Sequence, residues 1–173
     1  QYSLYAPHNI PLIAELMGGK DSLETWLDRL FAAESDLIGR HQVDITGLIG
    51  QYAHGNEPSH HMAYLYNYTN ASEKTQLYVD QILTELSTIQ PDGLSGNEDC
   101  GQMSAWYVMS ALGLYPIAPG NTNYQIGRPL FKKAEIKLPN RKKLSIQAPN
   151  NSGSAKYVKE VSFNKTKVND TEI

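Results

Sequence analysis

Residues 96–106 read Gly-Asn-Glu-Asp-Cys-Gly-Gln-Met-Ser-Ala-Trp. Glu98 and Asp99 stand beside the amide of Asn97, between Gly96 and Gly101, just ahead of an apolar segment. Carboxylates and an amide in a glycine-flanked turn can hold a water, grip a cation or bond sugar hydroxyls. A second polar cluster, His54-Gly55-Asn56-Glu57-Pro58-Ser59-His60-His61, also precedes a helical pattern. Two such loops, each opening a helix, suggest one shared site.

Asp99 has two readings. It can cap a helix starting at Cys100, with Glu98 turned to water. Alternatively, a bonded loop keeps it ionised, as a general base must be. Side chains alternate along an extended stretch, so Asn97 and Asp99 would face one way and Glu98 the other. Glu57 before Pro58 suits a helix start on electrostatic grounds alone. The surrounding His54, His60 and His61 do not form the His-Glu-x-x-His pattern of zinc sites. Adjacent residues on a helix diverge by about 100°, so His60 and His61 cannot easily share a metal. Asn56, Glu57, Asn97 and backbone carbonyls are oxygen donors, which suit a hard cation better. His41 and Asp44 lie in a glycine-rich stretch, where loop polars are more often structural. A nucleophile elbow, a phosphate-binding loop and a dinucleotide fingerprint are all missing from the sequence. Cys100 could be an activated thiol at a helix start, but a small buried thiol is the simpler expectation.

The elements that must carry these residues are mainly helical in the first two-thirds. Residues 7–17 read as a short helix closed by Gly18-Gly19. Asp21 with Glu24 resembles a capping pair. Leu23, Trp26, Leu27, Leu30 and Phe31 follow at helical spacing. Residues 35–56 hold four glycines and little periodicity, which predicts a long functional loop. Helices are predicted from Pro58 to about Tyr68 and from Ser72, the latter with Leu77, Ile82, Leu83 and Leu86 inward. Pro91-Asp92-Gly93 stops it. A last helix after Asp99 carries Met103, Trp106, Tyr107, Ser110 and Ala111 and ends at Gly113. Beyond Pro119 the period changes to two, over residues 134–138, 144–146 and 158–163. These strands are too few for a sheet with its own core. Helices and strands in separate blocks point to pieces of two domains.

The bulk composition is that of a soluble globular chain: 173 residues, 40% hydrophobic, 19% charged. A single cysteine excludes a disulfide within the chain. No apolar run approaches the roughly 18 residues of a membrane span, and no signal peptide is visible. The start at Gln1-Tyr2 is expected of a processed or cut product. Charge is divided unevenly. Residues 1–119 carry four Lys/Arg against fourteen Asp/Glu, and residues 120–173 carry eleven against four. The basic tail offers no stacking platform beyond Tyr157 and Phe163, so no nucleic-acid partner is expected. Asn-x-Ser/Thr sequons occur at Asn67, Asn70, Asn150, Asn164 and Asn169.

Several long motifs resemble glycoside hydrolase family 92. They are Gln1-Tyr2-Ser3 with Pro7-His8, the run from Gly47 through His61, Pro91-Asp92-Gly93-Leu94, all of 96–115, Tyr124-Gln125-Ile126-Gly127 and Pro129-Leu130-Phe131. The resemblance implies a calcium-dependent, inverting exo-α-mannosidase acting on α-mannosides or N-glycans, secreted, periplasmic or at the cell surface. It implies a mainly α fold, part of an (α/α)6 toroid followed by β-strands that return to a β-sandwich. Residues 1–116 would be the C-terminal part of the toroid and residues 117–173 the returning strands. Asp99 matches the family's general base and Asn97 a position that helps place the water. Glu57 with Asn56 matches a polar loop near calcium and the terminal mannose, and His60 and Glu98 fall in the same substrate-binding motifs. His41 matches the leaving-group subsite. Members specific for α-1,2 links have Glu after that histidine, whereas Gln42 follows here. The general acid belongs to a Glu-Gly-Asn-x-Trp-Gln-Tyr run, which places it a few residues before Gln1. The chain is then expected to be a C-terminal fragment, inactive alone. Met103, Trp106 and Leu83 would be partly unburied, strand edges open, and the missing chain or a second copy would cover the apolar surface.

Two other readings compete. A non-catalytic carbohydrate-binding or scaffold module has no need of Asp99 and Glu57 together. A phosphorylase of similar fold needs basic residues at its site. Residues 1–119 hold Lys20, Arg29, Arg40 and Lys74, none of them in either motif.

Overall fold

The computed structural model describes residues 2–36 and 42–173. Two helices open it, α1 (Ile10–Leu16) and α2 (Lys20–Ala32). The Asn9 side chain caps α1 by accepting from the Leu12 amide at 3.2 Å. Gly18 and Gly19, both at positive φ, turn the chain into α2. The expected capping pair at Asp21 and Glu24 does not form, because Gly19 is the residue at the cap. Asp21 instead accepts from Asn70, and Glu24 from Lys74, each at 2.9 Å. Lys74 also reaches Asp28, so charge ties α2 to α3 (Glu73–Glu85).

The predicted loop at 35–56 contains a small hairpin. Leu48 and Ile49 (β1) pair antiparallel with Tyr52 and Ala53 (β2). Residues 57–68 are helical as expected but wound as two tight 3-10 segments, Glu57–Ser59 and Met62–Tyr68. Met62, Ala63, Tyr64, Leu65 and Tyr66 are all fully buried. A segment buried on every side has no apolar period to read, which is why its winding was not legible. Around it pack Leu23, Leu27 and Phe31 of α2, Val79, Ile82 and Leu83 of α3, and Trp106 of α4 (Gln102–Ala111). Phe31 stacks on Tyr78 at 4.0 Å and on Tyr52 at 5.1 Å between ring centres. Each buried aromatic stabilises the fold by about 1.5–3 kcal/mol. The core tyrosines keep their hydroxyls satisfied, Tyr64 donating to Ser110 and Tyr66 to Asp28. Met103, Trp106 and Leu83 are buried, against expectation, and Trp106 and Leu83 join the core around Tyr64. Leu77 faces outward at 40% exposure, so the inward stripe of α3 is Val79, Ile82 and Leu83.

Past Leu112 the strands come in two-stranded sheets. β3 (Leu114–Tyr115) pairs with β4 (Gln125–Ile126). β5 (Lys133–Lys137) pairs with β6 (Lys143–Gln147) in the alternating pattern the sequence predicts. The third expected strand begins later than Val158: β7 (Val161–Phe163) turns at Asn164 and Lys165 into β8 (Thr166–Val168). The chain then returns to β4, where Tyr124 and Ile173 exchange backbone hydrogen bonds of 2.8 and 2.9 Å. Asn67, buried, donates to Gln125, Ile126 and Thr171. That engagement removes its sequon from any surface role.

Candidate active site

Three loops meet backbone to backbone. The amides of His54 and Gly55 donate to the carbonyls of Gly47 and Thr46, both at 3.0 Å. A Cβ on Gly55 would lie 2.2 Å from Thr46 Oγ1 and 2.9 Å from the Ser95 carbonyl. Only glycine permits that approach, and it seats the loop of Glu57 against the loop of Asp99.

The consequence is that Glu57 and Asp99 come within hydrogen-bond reach of each other. The Asp99 carboxyl is raised above its ordinary range, first by this hydrogen bond, then by partial desolvation and by the Glu57 charge. His60 opposes the rise. Two like groups placed together make Asp99 a better proton acceptor than an isolated aspartate.

Asp99 is not the helix cap. Asp99, Cys100 and Gly101 all have left-handed backbones, with φ of 52°, 55° and 93°. For the two non-glycine residues this costs about 1–2 kcal/mol each. The reversal leaves the first α4 amides to the residues before it. Gln102 donates to the Asp99 carbonyl and Met103 to the Glu98 carbonyl. Ser104 donates its amide to Glu98 Oε1 at 3.2 Å and its hydroxyl to Oε2 at 3.0 Å. Glu98 thus performs the capping expected of Asp99. Cys100, expected to be buried, is exposed, because the reversal turns it away from the core. Asn97 is exposed in the same turn.

Behind the carboxyl pair lies a buried ring cluster. His54 Nδ1 meets the Tyr52 hydroxyl at 2.9 Å, and its ring packs edge-on to Trp106 with 4.5 Å between centres. His60 Nε2 bonds the His54 carbonyl at 3.0 Å, and its Nδ1 faces Gln102 Nε2 at 3.3 Å. The Trp106 indole donates to the His60 carbonyl at 3.0 Å. Burial pushes His54 down to about 3 and His60 to about 4, so both rings are neutral at pH 7. Both His60 ring nitrogens have partners within the protein, and its ring is 1% exposed. His61, adjacent to His60, bonds instead to the Leu4 carbonyl through Nε2.

Of the sequence candidates, Glu57, Asp99 and His60 are brought together here, with Asn56 buried and adjoining Glu57, while the Glu98 side chain engages Ser104. Gln42 is exposed. His41 lies outside the described residues. Sequence reasoning missed Gln102 and Ser104, which look like ordinary first-turn residues, and took Trp106 as core alone. Among the described residues no group of three or more His, Cys, Asp and Glu side chains is arranged to hold a metal. The donors present, an amide at Asn56 and carboxyls at Glu57 and Asp99, are hard oxygens. They fit calcium, which completes its shell with carbonyls, water or ligand oxygens. Two surface cavities, about 540 and 230 Å³, are lined by other residues. Asp99 is exposed and Glu57 half-buried.

Exposed carboxyls on loops at helix starts suit a site that handles sugars and water, and the class of protein is set by the match to known sequences. The chain belongs to glycosyl hydrolase family 92, whose catalytic-domain model matches residues 1–173. It is similar to a family 92 α-mannosidase of Bacteroides thetaiotaomicron, with 40% identity and a TM-score of 0.86. That match covers 99% of this chain and 22% of the other. A structure of the same mannosidase with mannoimidazole aligns with a TM-score of 0.88, 40% identity and the same coverage. An inverting family 92 mannosidase of that organism aligns at 33% identity and a TM-score of 0.82, over 99% of this chain and 24% of the other. A relative in Arthroderma benhamiae, described as an uncharacterized secreted glycosidase, is 28% identical over 139 residues, 78% of this chain and 15% of that protein. The chain thus spans under a quarter of the length of each of these relatives.

Proposed function

We propose that this chain carries the general-base half of an α-mannosidase that hydrolyses terminal α-linked mannose with inversion and with the help of calcium. The observation that carries the reading is the meeting of Asp99 and Glu57 from two separate loops. The similarity to family 92 mannosidases supports mannose as the sugar.

In this reading Asp99 accepts a proton from water as that water attacks the anomeric carbon. Asn97 orients the water from the same turn. Inversion requires an acid on the opposite side of the bond, with the two carboxyls roughly 6.5–9.5 Å apart. Glu57 is too close to Asp99 to be that acid, so it serves the sugar and the cation. The acid comes from the longer polypeptide, in the segment preceding Gln1. Asn56 and Glu57 would hold calcium, which when bound grips sugar hydroxyls and favours a distorted ring. His41 and Gln42 would line the leaving-group side. Helices α1 to α4 are read as toroid helices, and residues 117–173 as strands returning to a sandwich. The open surface around Asp99 is then closed by the rest of the protein. Secretion fits the secreted relative.

The test is proton NMR of the sugar released from an aryl α-mannoside by the full-length protein. β-Mannose must appear first. First release of α-mannose would remove the inverting mechanism, and loss of no activity in Asp99→Asn would remove the base.

A further inference from the structure

We infer that Glu98 is a positioning residue that acts through Asp99 by clasping Ser104, and that Ser104 is its working partner. The inference rests on the reading of Asp99 as the base. Both Glu98 carboxylate oxygens are engaged by one residue, the Ser104 amide at 3.2 Å and its hydroxyl at 3.0 Å. The Glu98 backbone carbonyl takes the Met103 amide at 3.2 Å as well. Glu98 therefore grips two successive turn-opening amides of α4 and one hydroxyl. The two bonds from Ser104 end on a carboxylate, which makes each stronger than a neutral pair at the same distance.

What this grip holds is the chain reversal at Asp99, Cys100 and Gly101, with φ of 52°, 55° and 93°. Two non-glycine residues in left-handed conformation persist only where their surroundings over-determine them. The clasp closes the loop across the reversal, from the residue before it to the third residue of α4. On the other side, Gly96 at φ 81° packs toward the Gly55 carbonyl. Asp99 lies between these two fixed points and is aimed at Glu57. Glu98 need not touch the sugar to matter. A misplacement of about 1 Å in a reacting group can lower a rate by about 10²-fold.

The experiment compares Glu98→Ala, Ser104→Ala, the double variant and Ser104→Thr in the full-length protein with an aryl α-mannoside. Expected are losses in kcat of about ten-fold or more in both single variants, with KM held within about two-fold. The double variant should be no worse than the worse single, and Ser104→Thr, which keeps the hydroxyl, should recover most of the rate. If Ser104→Ala is silent and Glu98→Ala raises KM, Glu98 contacts substrate and the clasp is overturned. A second readout needs no turnover. Cys100 is exposed within the reversal, so its alkylation rate by iodoacetamide reports the loop. Ser104→Ala, which changes no charge, should alter that rate at least about two-fold, and the double variant should match Glu98→Ala. Unchanged rates refute the clasp. A wild-type protein that turns over no α-mannoside, yet shows these thiol shifts, would refute the functional reading and leave the clasp standing.

Discussion

Asp99 and Glu57 lie close enough that the Glu57 carboxyl, chiefly through hydrogen bonding, raises the proton affinity of Asp99 above that of an ordinary aspartate. The two carboxyls belong to different loops, and the glycine contacts between those loops bring them together. Removing the acceptor power of Asp99 should leave the fold intact, since its side chain caps nothing. Asp99→Asn is expected to lower turnover by about 10²–10⁴-fold with the melting temperature nearly unchanged. Steady-state kinetics and a thermal melt on the full-length variant check this, and near-normal turnover would end the assignment.

The proposed calcium dependence rests on the hard oxygen donors at Asn56 and Glu57. Treatment with a chelator should abolish activity, and calcium should restore it better than zinc. Recovery with zinc alone would point to a different donor set.

Gln42 is exposed beside the described edge of the 42–47 loop, and its place after His41 makes it the candidate for linkage preference. Gln42→Glu should shift relative rates among α-1,2, α-1,3 and α-1,6 mannobiosides. Ratios that all stay fixed would separate this loop from specificity.

His61 gives a pH signature. Burial lowers its pKa from 6.5, while the Leu4 and Pro58 carbonyls act to raise it. Its other close neighbours are the Tyr5 ring, edge-on at 5.7 Å, and His60. The folded state thus disfavours the charged ring relative to the unfolded chain. The stability this gives is fully present above about pH 6.5 and is lost as pH falls toward the folded value. Urea midpoints at pH 7.5 and pH 5 should differ less in His61→Gln, which cannot titrate, than in the parent. Equal differences would assign the acid sensitivity elsewhere.

The isolated 173 residues should be inactive on α-mannosides and self-associate. Exposed Leu16, Val108 and Leu12, at 79%, 55% and 45%, are the surface expected to do so. Light scattering and an activity assay decide it, and an active monomer would refute the assignment of the acid to another segment.

The helices were legible where one face is buried, as in α2 and α3, because burial on one side imposes a 3.6-residue period. The segment around Tyr64 was not legible in detail, since a strip buried all round has no polar face to mark its winding. The β1–β2 hairpin was missed because two-residue strands are too short to show alternation. At the site, the carboxyl-bearing loops and the residues Glu57 and Asp99 stood out from type and spacing. The division of labour between Glu98 and Asp99 did not. It depends on three successive left-handed residues, of which Cys100 is a type that rarely adopts that conformation. Nor could spacing show that His60 turns both ring nitrogens inward, which depends on Gln102 and on the His54 carbonyl.

The return of residues 171–173 to β4 and to Asn67 sets an order on synthesis. The Asn67 carboxamide sits within the helical unit, yet its acceptors are Gln125, Ile126 and Thr171. A chain emerging from the ribosome makes Asn67 long before Thr171. Until then the centre of the helical unit carries a donor without its full set of acceptors. Closure over that separation is slow relative to helix formation. The helical unit is completed only when Thr171, 104 positions further along the chain, reaches Asn67.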